Sequence, residues 1–312
     1  LSREDAPHRK VEIVEVGPRD GLQNETVTLS PEDRAELCDL LVDAGLRRIE
    51  AASFVNPKRV PQMAGAEKVL SGVSRKPGVS FAGLVLNERG YERAVAAGVD
   101  EVRYAYPLTD EFARRNQNST VEAGTELAGR LAELAARDGV GYSVTFAVTF
   151  GCPFEGEVKP ERVLQVAREV AASEPDEIIL ADTIGVAVPT QVRELVGGLR
   201  SIVNNNTDKS TKVGCHFHDT RHTGIANAIA AAESGATVLD ASIGGTGGCP
   251  FAPRATGNIA TEDLVYALHG MGYTTGADLD KLIECAGWMS GKLGKELAGR
   301  VYKAGTFTPV AG

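Results

Sequence analysis

Residues 11–16 (VEIVEV) alternate apolar and acidic positions and stop at Gly17-Pro18, the pattern of a strand. A polar loop over 19–25 follows. Ser30-Pro31-Glu32-Asp33 then supplies an N-cap and a proline at the first helical position, opening a helix that ends near Ala44-Gly45. The same unit recurs down the chain. Further strands are expected over 46–52, 79–86, 101–106, 140–150, 177–181, 212–218 and 237–243. Helices alternate with them: around 64–70, up to Ala97-Gly98, about 120–137, 160–172, 189–203 and 223–234, and one from near Thr261. Eight strand–helix alternations with no break in composition predict an α/β fold, a closed (β/α)8 barrel rather than a doubly wound sheet. One domain is expected over 1–312, with the barrel at about 11–273 and extra C-terminal helices at about 274–312.

Composition narrows the partners more than the fold. The 312 residues are 43% hydrophobic and 24% charged, an ordinary globular balance. A net charge of −9 argues against a nucleic-acid or anionic-membrane binder. No apolar run reaches the length of a membrane span, and residues 1–10 lack the apolar core of a secretion signal. The cysteines 38, 152, 215, 249 and 285 are scattered, odd in number and without a CxxC, which predicts free thiols in a reducing compartment.

The chemistry collects where barrels keep it, at the C-terminal ends of the strands. His216 and His218 end the seventh strand one residue apart, so they share a face and make a metal-ligand pair, while Cys215 and Phe217 face the other way. Arg19 and Asp20 follow the first strand, and Glu50 lies near the end of the second. Asp182 and Thr183 close the sixth; Cys249 and Asn258 follow the eighth. Two imidazoles, the Asp20 carboxylate and the Asn258 amide oxygen suit a hard divalent cation, Mg²⁺ or Mn²⁺, with positions left open for a chelating substrate. Read alone, Asp20 has a turn cap as its lesser reading, Asn258 is as readily a turn residue, and Asp182 could simply cap a turn. Glu15 and Glu50, acidic within apolar strands, are each either a buried base or a partner of Arg19. The glycine-rich 244–258 (GGTGGCPFAPRATGN) lacks a phosphate-loop lysine and reads as a mobile lid carrying Cys249. Cys152, in a similar Gly-Cys-Pro-Phe word, reads as a buried structural thiol.

Several motifs are similar to those of the 3-hydroxy-3-methylglutaryl-CoA lyase family, metal-dependent lyases built on a TIM barrel. They are Val14–Glu25 (VEVGPRDGLQNE), Ser53-Phe54-Val55-Asn56-Pro57-Lys58, Asp182-Thr183-Ile184-Gly185-Val186, His216-Phe217-His218-Asp219-Thr220, Gly247-Gly248-Cys249-Pro250-Phe251-Ala252 and Thr256-Gly257-Asn258. The likeness runs in order through nearly the whole chain. It implies a metal on Asp20, His216, His218 and Asn258, Arg19 stabilising the enolate of the departing acyl-CoA, and Cys249 in proton transfer, with Glu50 and Asp182 supporting. Gln23, Thr183 and Arg221 are the candidate contacts to an acyl-CoA substrate.

Two loops depart from the family pattern. Arg221-His222-Thr223 stands where Tyr-Gly-Gln is usual, and Pro107-Leu108-Thr109-Asp110-Glu111-Phe112 replaces an Ala-Ser-Glu pattern. Arg221 is thus either a partner for a substrate carboxylate or a surface residue at helix entry. The implied reaction is cleavage of 3-hydroxy-3-methylglutaryl-CoA to acetoacetate and acetyl-CoA. The alternatives are the same cleavage of another 3-hydroxyacyl-CoA such as citramalyl-CoA, a condensing synthase, and a non-catalytic metal-binding barrel. A homodimer or higher homo-oligomer is expected, in the bacterial cytoplasm or, in a eukaryote, the mitochondrial matrix.

Overall fold

A computed structural model describes residues 9–206, 210–248 and 257–307. Eight parallel strands close a barrel in chain order: β1 (Glu12–Glu15), β2 (Arg48–Ser53), β3 (Ser80–Val85), β4 (Glu101–Pro107), β5 (Gly141–Ala147), β6 (Glu177–Asp182), β7 (Lys212–Phe217) and β8 (Val238–Ala241), with β8 pairing back onto β1. The predicted barrel is the observed one. Around it run α1 (Pro31–Asp43), α2 (Ala66–Gly72), α3 (Glu88–Ala96), α4 (Asp110–Gln117), α5 (Val121–Asp138), α6 (Pro160–Ala171), α7 (Pro189–Asn206), α8 (Gly224–Glu233) and α9 (Thr261–Gly270). After them come α10 (Leu279–Leu293) and the short α11 (Val301–Ala304). The 9–10 segment pairs in parallel with 273–274, joining the start of the chain to the region after α9. Among the described residues no helix is long and apolar enough to cross a membrane.

Local chemistry sets the helix limits. The Ser30 hydroxyl accepts from the Asp33 N–H at 3.0 Å, with Pro31 in the first turn of α1. Thr120 caps α5 in the same way through Ala123, and Gly139, at φ 70°, ends it. Two elements differ from expectation. The fifth strand stops at Ala147 because Val148 takes φ 54° and turns the chain. The run after β4, read as a loop, contains α4, too short and too polar to show an apolar stripe.

The helices bury an aliphatic shell against the outward faces of the strands, including Cys215 and Phe217 of β7. The inside of the barrel is different. Val14, Val16 and Val238 form a small apolar cluster at the β1–β8 seam, separate from the main core. Much of the rest is charged. At the N-terminal end Arg48 reaches Glu12 at 3.1 Å, both Glu101 oxygens at 2.9–3.1 Å and Glu177 at 2.7 Å. Ser143 donates to Glu101 at 2.7 Å, and Lys212 closes on Glu12 at 2.9 Å. Gly214 leaves room for this ring, since a Cβ there would sit 2.1 Å from Glu177 Oε1 and 2.9 Å from Ile179. Gly214→Ala is therefore expected to cost about 1–3 kcal/mol, the usual penalty of overpacking, read as a lower urea midpoint at unchanged slope. An unshifted midpoint would mean that the ring moves aside freely.

Candidate active site

The turn after β1 carries the first two groups. Glu15, fully buried, accepts from the Gly17 N–H at 2.7 Å and the Ile243 N–H at 2.8 Å, and its other oxygen takes the Thr261 hydroxyl at 2.6 Å. It thereby ties the end of β1 to the loop after β8 and the start of α9. Glu15 is not the partner of Arg19. The next five residues, Gly17–Gly21, wind into a wide π turn, which points Arg19 and Asp20 over the mouth of the barrel. Gly21 is required there, because a Cβ would strike the Thr246 hydroxyl at 2.4 Å.

Arg19 lies in a fork on Glu50, Nε to Oε1 at 2.9 Å and Nη2 to Oε2 at 3.0 Å, and its Nη1 donates to Asp20 Oδ1 at 2.6 Å. The β2–β3 register shifts between Glu50 and Ala52, a bulge beside the site that re-aims the strand. Asp20 Oδ2 faces the other way, accepting from Asn258 Nδ2 at 2.8 Å and lying 3.9 Å from His216 Nε2. A backbone bridge pairs His218 with Asn258, and the two histidine rings lie 5.2 Å apart. One ligand atom from each of Asp20, His216 and His218 falls within 4.8 Å of the others.

The fourth sequence-derived ligand belongs to this cluster as well. Asn258 uses its amide N–H groups on Asp20 and on the Thr246 carbonyl at 3.1 Å, while its Oδ1 is buried with no hydrogen-bond partner among the described residues. An orphaned buried oxygen beside a carboxylate and two imidazoles fits a hard cation with mixed nitrogen and oxygen donors. The electrostatics agree. Burial alone would raise Asp20, yet Arg19 and the two histidines hold its carboxyl well below the usual range. Burial would lower His216, but Asp240 and Asp20 raise it, so the site favours added positive charge.

The remaining candidates divide. Gln23 and Thr183 line a cavity of about 580 Å³ above these groups, and the Thr183 hydroxyl also accepts from the Val148 N–H at 2.9 Å. Asp182 does not line it: both its oxygens accept backbone N–H groups, Val186 and Ala187 at 2.9 Å each, so it shapes the loop after β6. Its placement is that of a turn cap. Arg221 is exposed and donates to the Ile184 and Gly185 carbonyls at 3.1 and 2.7 Å, away from the cavity. Of its two readings, the structure displays the surface one.

Cys249 lies outside the described residues. The flanks of the glycine-rich segment are buried rather than loose. The Ser242 and Thr246 hydroxyls meet at 2.6 Å, and a Cβ on Gly257 would strike the Gly245 carbonyl at 2.1 Å. A lid over the whole of 244–258 is thus too long a reading. Asn24 Nδ2 holds the Gly248 carbonyl at 2.6 Å, which brings the chain to the rim of the cavity just before Cys249. Cys152 is buried and accepts from the Thr109 hydroxyl at 3.1 Å.

Sequence reasoning missed part of the cavity. Arg103 of β4 and Asp240 of β8 line its floor, and α4 supplies Phe112, Arg115 and Gln117 to its wall. The signal was present for Arg103: charged or polar residues recur at period two in Arg48/Glu50, Glu101/Arg103 and Ser143/Thr145, an inward-facing row.

The chain matches the HMGL-like family model over residues 10–288. It is 46% identical over 310 residues to the (R)-citramalyl-CoA lyase of Chloroflexus aurantiacus, covering 96% of each chain. It is 40% identical over 296 residues to a 3-hydroxy-3-isohexenylglutaryl-CoA/hydroxymethylglutaryl-CoA lyase of Pseudomonas aeruginosa, covering 95% of this chain and 97% of that one. Among solved structures, an HMG-CoA lyase of Acinetobacter baumannii in complex with coenzyme A and 3-methylmalate superposes with a TM-score of 0.90 at 34% identity, over 98% of this chain and 99% of that one.

Proposed function

Since the chain belongs to the HMGL-like family of lyases, we propose that it breaks a carbon–carbon bond in the coenzyme A thioester of a short 3-hydroxy-3-methyl dicarboxylic acid. The cation would be held by Asp20, His216, His218 and Asn258. The observation that carries this reading is the orphaned Asn258 oxygen beside Asp20 and the two histidines, on the same cavity as Arg19. When bound, a Mg²⁺ or Mn²⁺ ion supplies Lewis acidity toward the hydroxyl and carboxylate oxygens of the substrate.

The protein's own groups account for the rest. A base in the cavity takes the proton of the tertiary hydroxyl, the bond to the thioester-bearing carbon breaks, and a keto acid leaves the acyl-CoA enolate behind. To Arg19 we assign the stabilisation of the negative charge that builds on the thioester oxygen. Glu50 keeps its guanidinium flat in a two-point fork and leaves further N–H groups for that oxygen. We assign the proton that converts the enolate to acyl-CoA to Cys249. One proton is lost and one gained, so neither free CoA nor a redox partner enters the balance. Gln23 and Thr183 are proposed as substrate contacts, and Asp182 acts only through the loop it holds.

Two substrates meet this description. 3-Hydroxy-3-methylglutaryl-CoA, expected from the motifs, would give acetoacetate and acetyl-CoA. Citramalyl-CoA has one methylene fewer between the tertiary carbon and the carboxylate and would give pyruvate and acetyl-CoA. The 46% identity to a citramalyl-CoA lyase, against 40% to the Pseudomonas lyase, supports the second. One methylene is worth about 1–3 kcal/mol, or 10- to 200-fold in kcat/KM. Both thioesters should therefore turn over with Mg²⁺ or Mn²⁺, citramalyl-CoA faster by a factor in that range, and a chelator should stop both. Release of free CoA would indicate a synthase, and no turnover of either by folded, metal-loaded protein would overturn the proposal.

A further inference from the structure

One buried ion pair in the barrel has no role in the chemistry just described. Arg103 enters from β4 and Asp240 from β8, across the barrel, with side chains only 2% and 4% exposed. Arg103 Nη2 donates to both Asp240 oxygens, at 3.0 and 2.9 Å. The same Asp240 Oδ2 lies 3.1 Å from His216 Nδ1. The other terminal nitrogen of Arg103 points at Glu50 Oε2, 3.5 Å away, the carboxylate that grips Arg19. One guanidinium thus stands between the arm that carries a metal ligand and the arm that carries the oxyanion cation.

Burying such a pair costs several kcal/mol of desolvation per ion, and aliphatic side chains would fill the space without that cost. The pair therefore calls for an explanation other than core packing. The hydrogen-bond logic supplies one. A carboxylate already receiving two N–H groups is an acceptor, so the His216 Nδ1 that meets it carries the hydrogen, and Nε2 presents its lone pair toward Asp20.

We propose that Asp240 and Arg103 are positioning residues for the metal-ligand set: Asp240 fixes the tautomer and ring plane of His216, and Arg103 holds Asp240 while bracing Glu50. The inference rests on the metal reading above. Asp240→Asn replaces the acceptor with an amide that can turn a donor toward Nδ1 and so select the wrong tautomer. Arg103→Met leaves Asp240 without its anchor.

The test is Mn²⁺ affinity of the substrate-free protein, measured by the electron paramagnetic resonance of unbound Mn²⁺, with thermal unfolding as the folding control. Asp240→Asn should weaken Mn²⁺ by about 10- to 100-fold, the usual effect of removing a ligand's hydrogen-bond partner. Arg103→Met should weaken it by about 10-fold, and the double variant should bind no worse than Asp240→Asn alone, because the arginine reaches the ligand His216 only through the aspartate. The visible spectrum of the Co²⁺-loaded Asp240→Asn protein should shift, which a purely structural role would not produce. If the unmutated protein binds no Mn²⁺, the metal reading fails. If it binds Mn²⁺ and both single variants bind it equally well, the brace is overturned. Should Arg103→Met not fold, Arg103→Lys decides: it keeps the charge without the fork, and an unchanged Mn²⁺ affinity overturns the brace, whereas a several-fold loss supports it.

Discussion

Arg19→Lys is expected to lower kcat by about 10²- to 10³-fold while KM changes little, the size seen when one donor to a developing oxyanion is removed. The ammonium of lysine keeps the charge but not the planar fork. It cannot grip both Glu50 oxygens and still face Asp20, as the Arg19 guanidinium does through Nε, Nη2 and Nη1. The charge near the reacting oxygen then survives while its placement is lost. Placement matters only when the oxygen becomes negative, so the loss should appear in kcat and kcat/KM together. Glu50→Gln should give a smaller fall of the same kind, since it weakens the fork without removing the guanidinium. Steady-state kinetics with citramalyl-CoA and 3-hydroxy-3-methylglutaryl-CoA checks both. A rise in KM at constant kcat would mean that Arg19 only holds the ground-state ligand.

The second large effect is on stability against pH. Two buried carboxyls lie beneath the site. Burial pushes Glu15 up from 4.5 to about 7 and Glu262 up from 4.5 to about 8. Glu262 accepts from the Gly244 N–H at 3.0 Å, while its other oxygen is buried without a partner among the described residues. Because the folded-state values are raised, the folded protein holds these protons more tightly than the unfolded chain. Their contribution is fully present below pH 4.5 and is lost as pH rises through 7 and 8. Stability should fall between pH 6 and 9 by an amount on the order of a few kcal/mol. Carboxyls such as Asp20 and Asp240, which are lowered, act with the opposite sign and only in acid, outside this window. Urea midpoints measured from pH 6 to 9 should therefore decline in the unmutated protein and decline less in Glu262→Gln. Parallel slopes would show that Glu262 does not titrate in this range.

The outward half of this protein was legible in its sequence because helices and outer strand faces obey simple periods. The barrel and its eight strands followed from the strand–helix alternation, and the shared address of Asp20, His216, His218 and Asn258 from strand ends. What escaped was contact between strands distant in sequence. Arg103 and Asp240 meet across the barrel 137 positions apart, and nothing local to either announces the partner. The two readings left open for Asp182 and for Arg221 could not be separated for a related reason. A polar residue at a strand end points either into the barrel or into its own loop, and the choice is made by backbone N–H and C=O groups that no motif displays. Helix α4 was lost because its buried positions, Phe112 and Ala113, are adjacent and make no stripe.

The ring of charges around Arg48 bears on how the chain acquires its shape during synthesis. Glu12, Arg48 and Glu101 leave the ribosome early and already hold one more negative charge than positive, but Lys212, the second cation on Glu12, arrives only with the seventh strand. Until then a closed partial barrel would hold Glu12 and Glu101 on a single guanidinium, and a partly paired buried charge is worse than one left in water. Early segments are thus expected to stay open, with the barrel closing as a single late event once β7 has emerged. A nascent chain stalled before residue 212 should accordingly be digested readily by protease, and one stalled well beyond 270 should resist it.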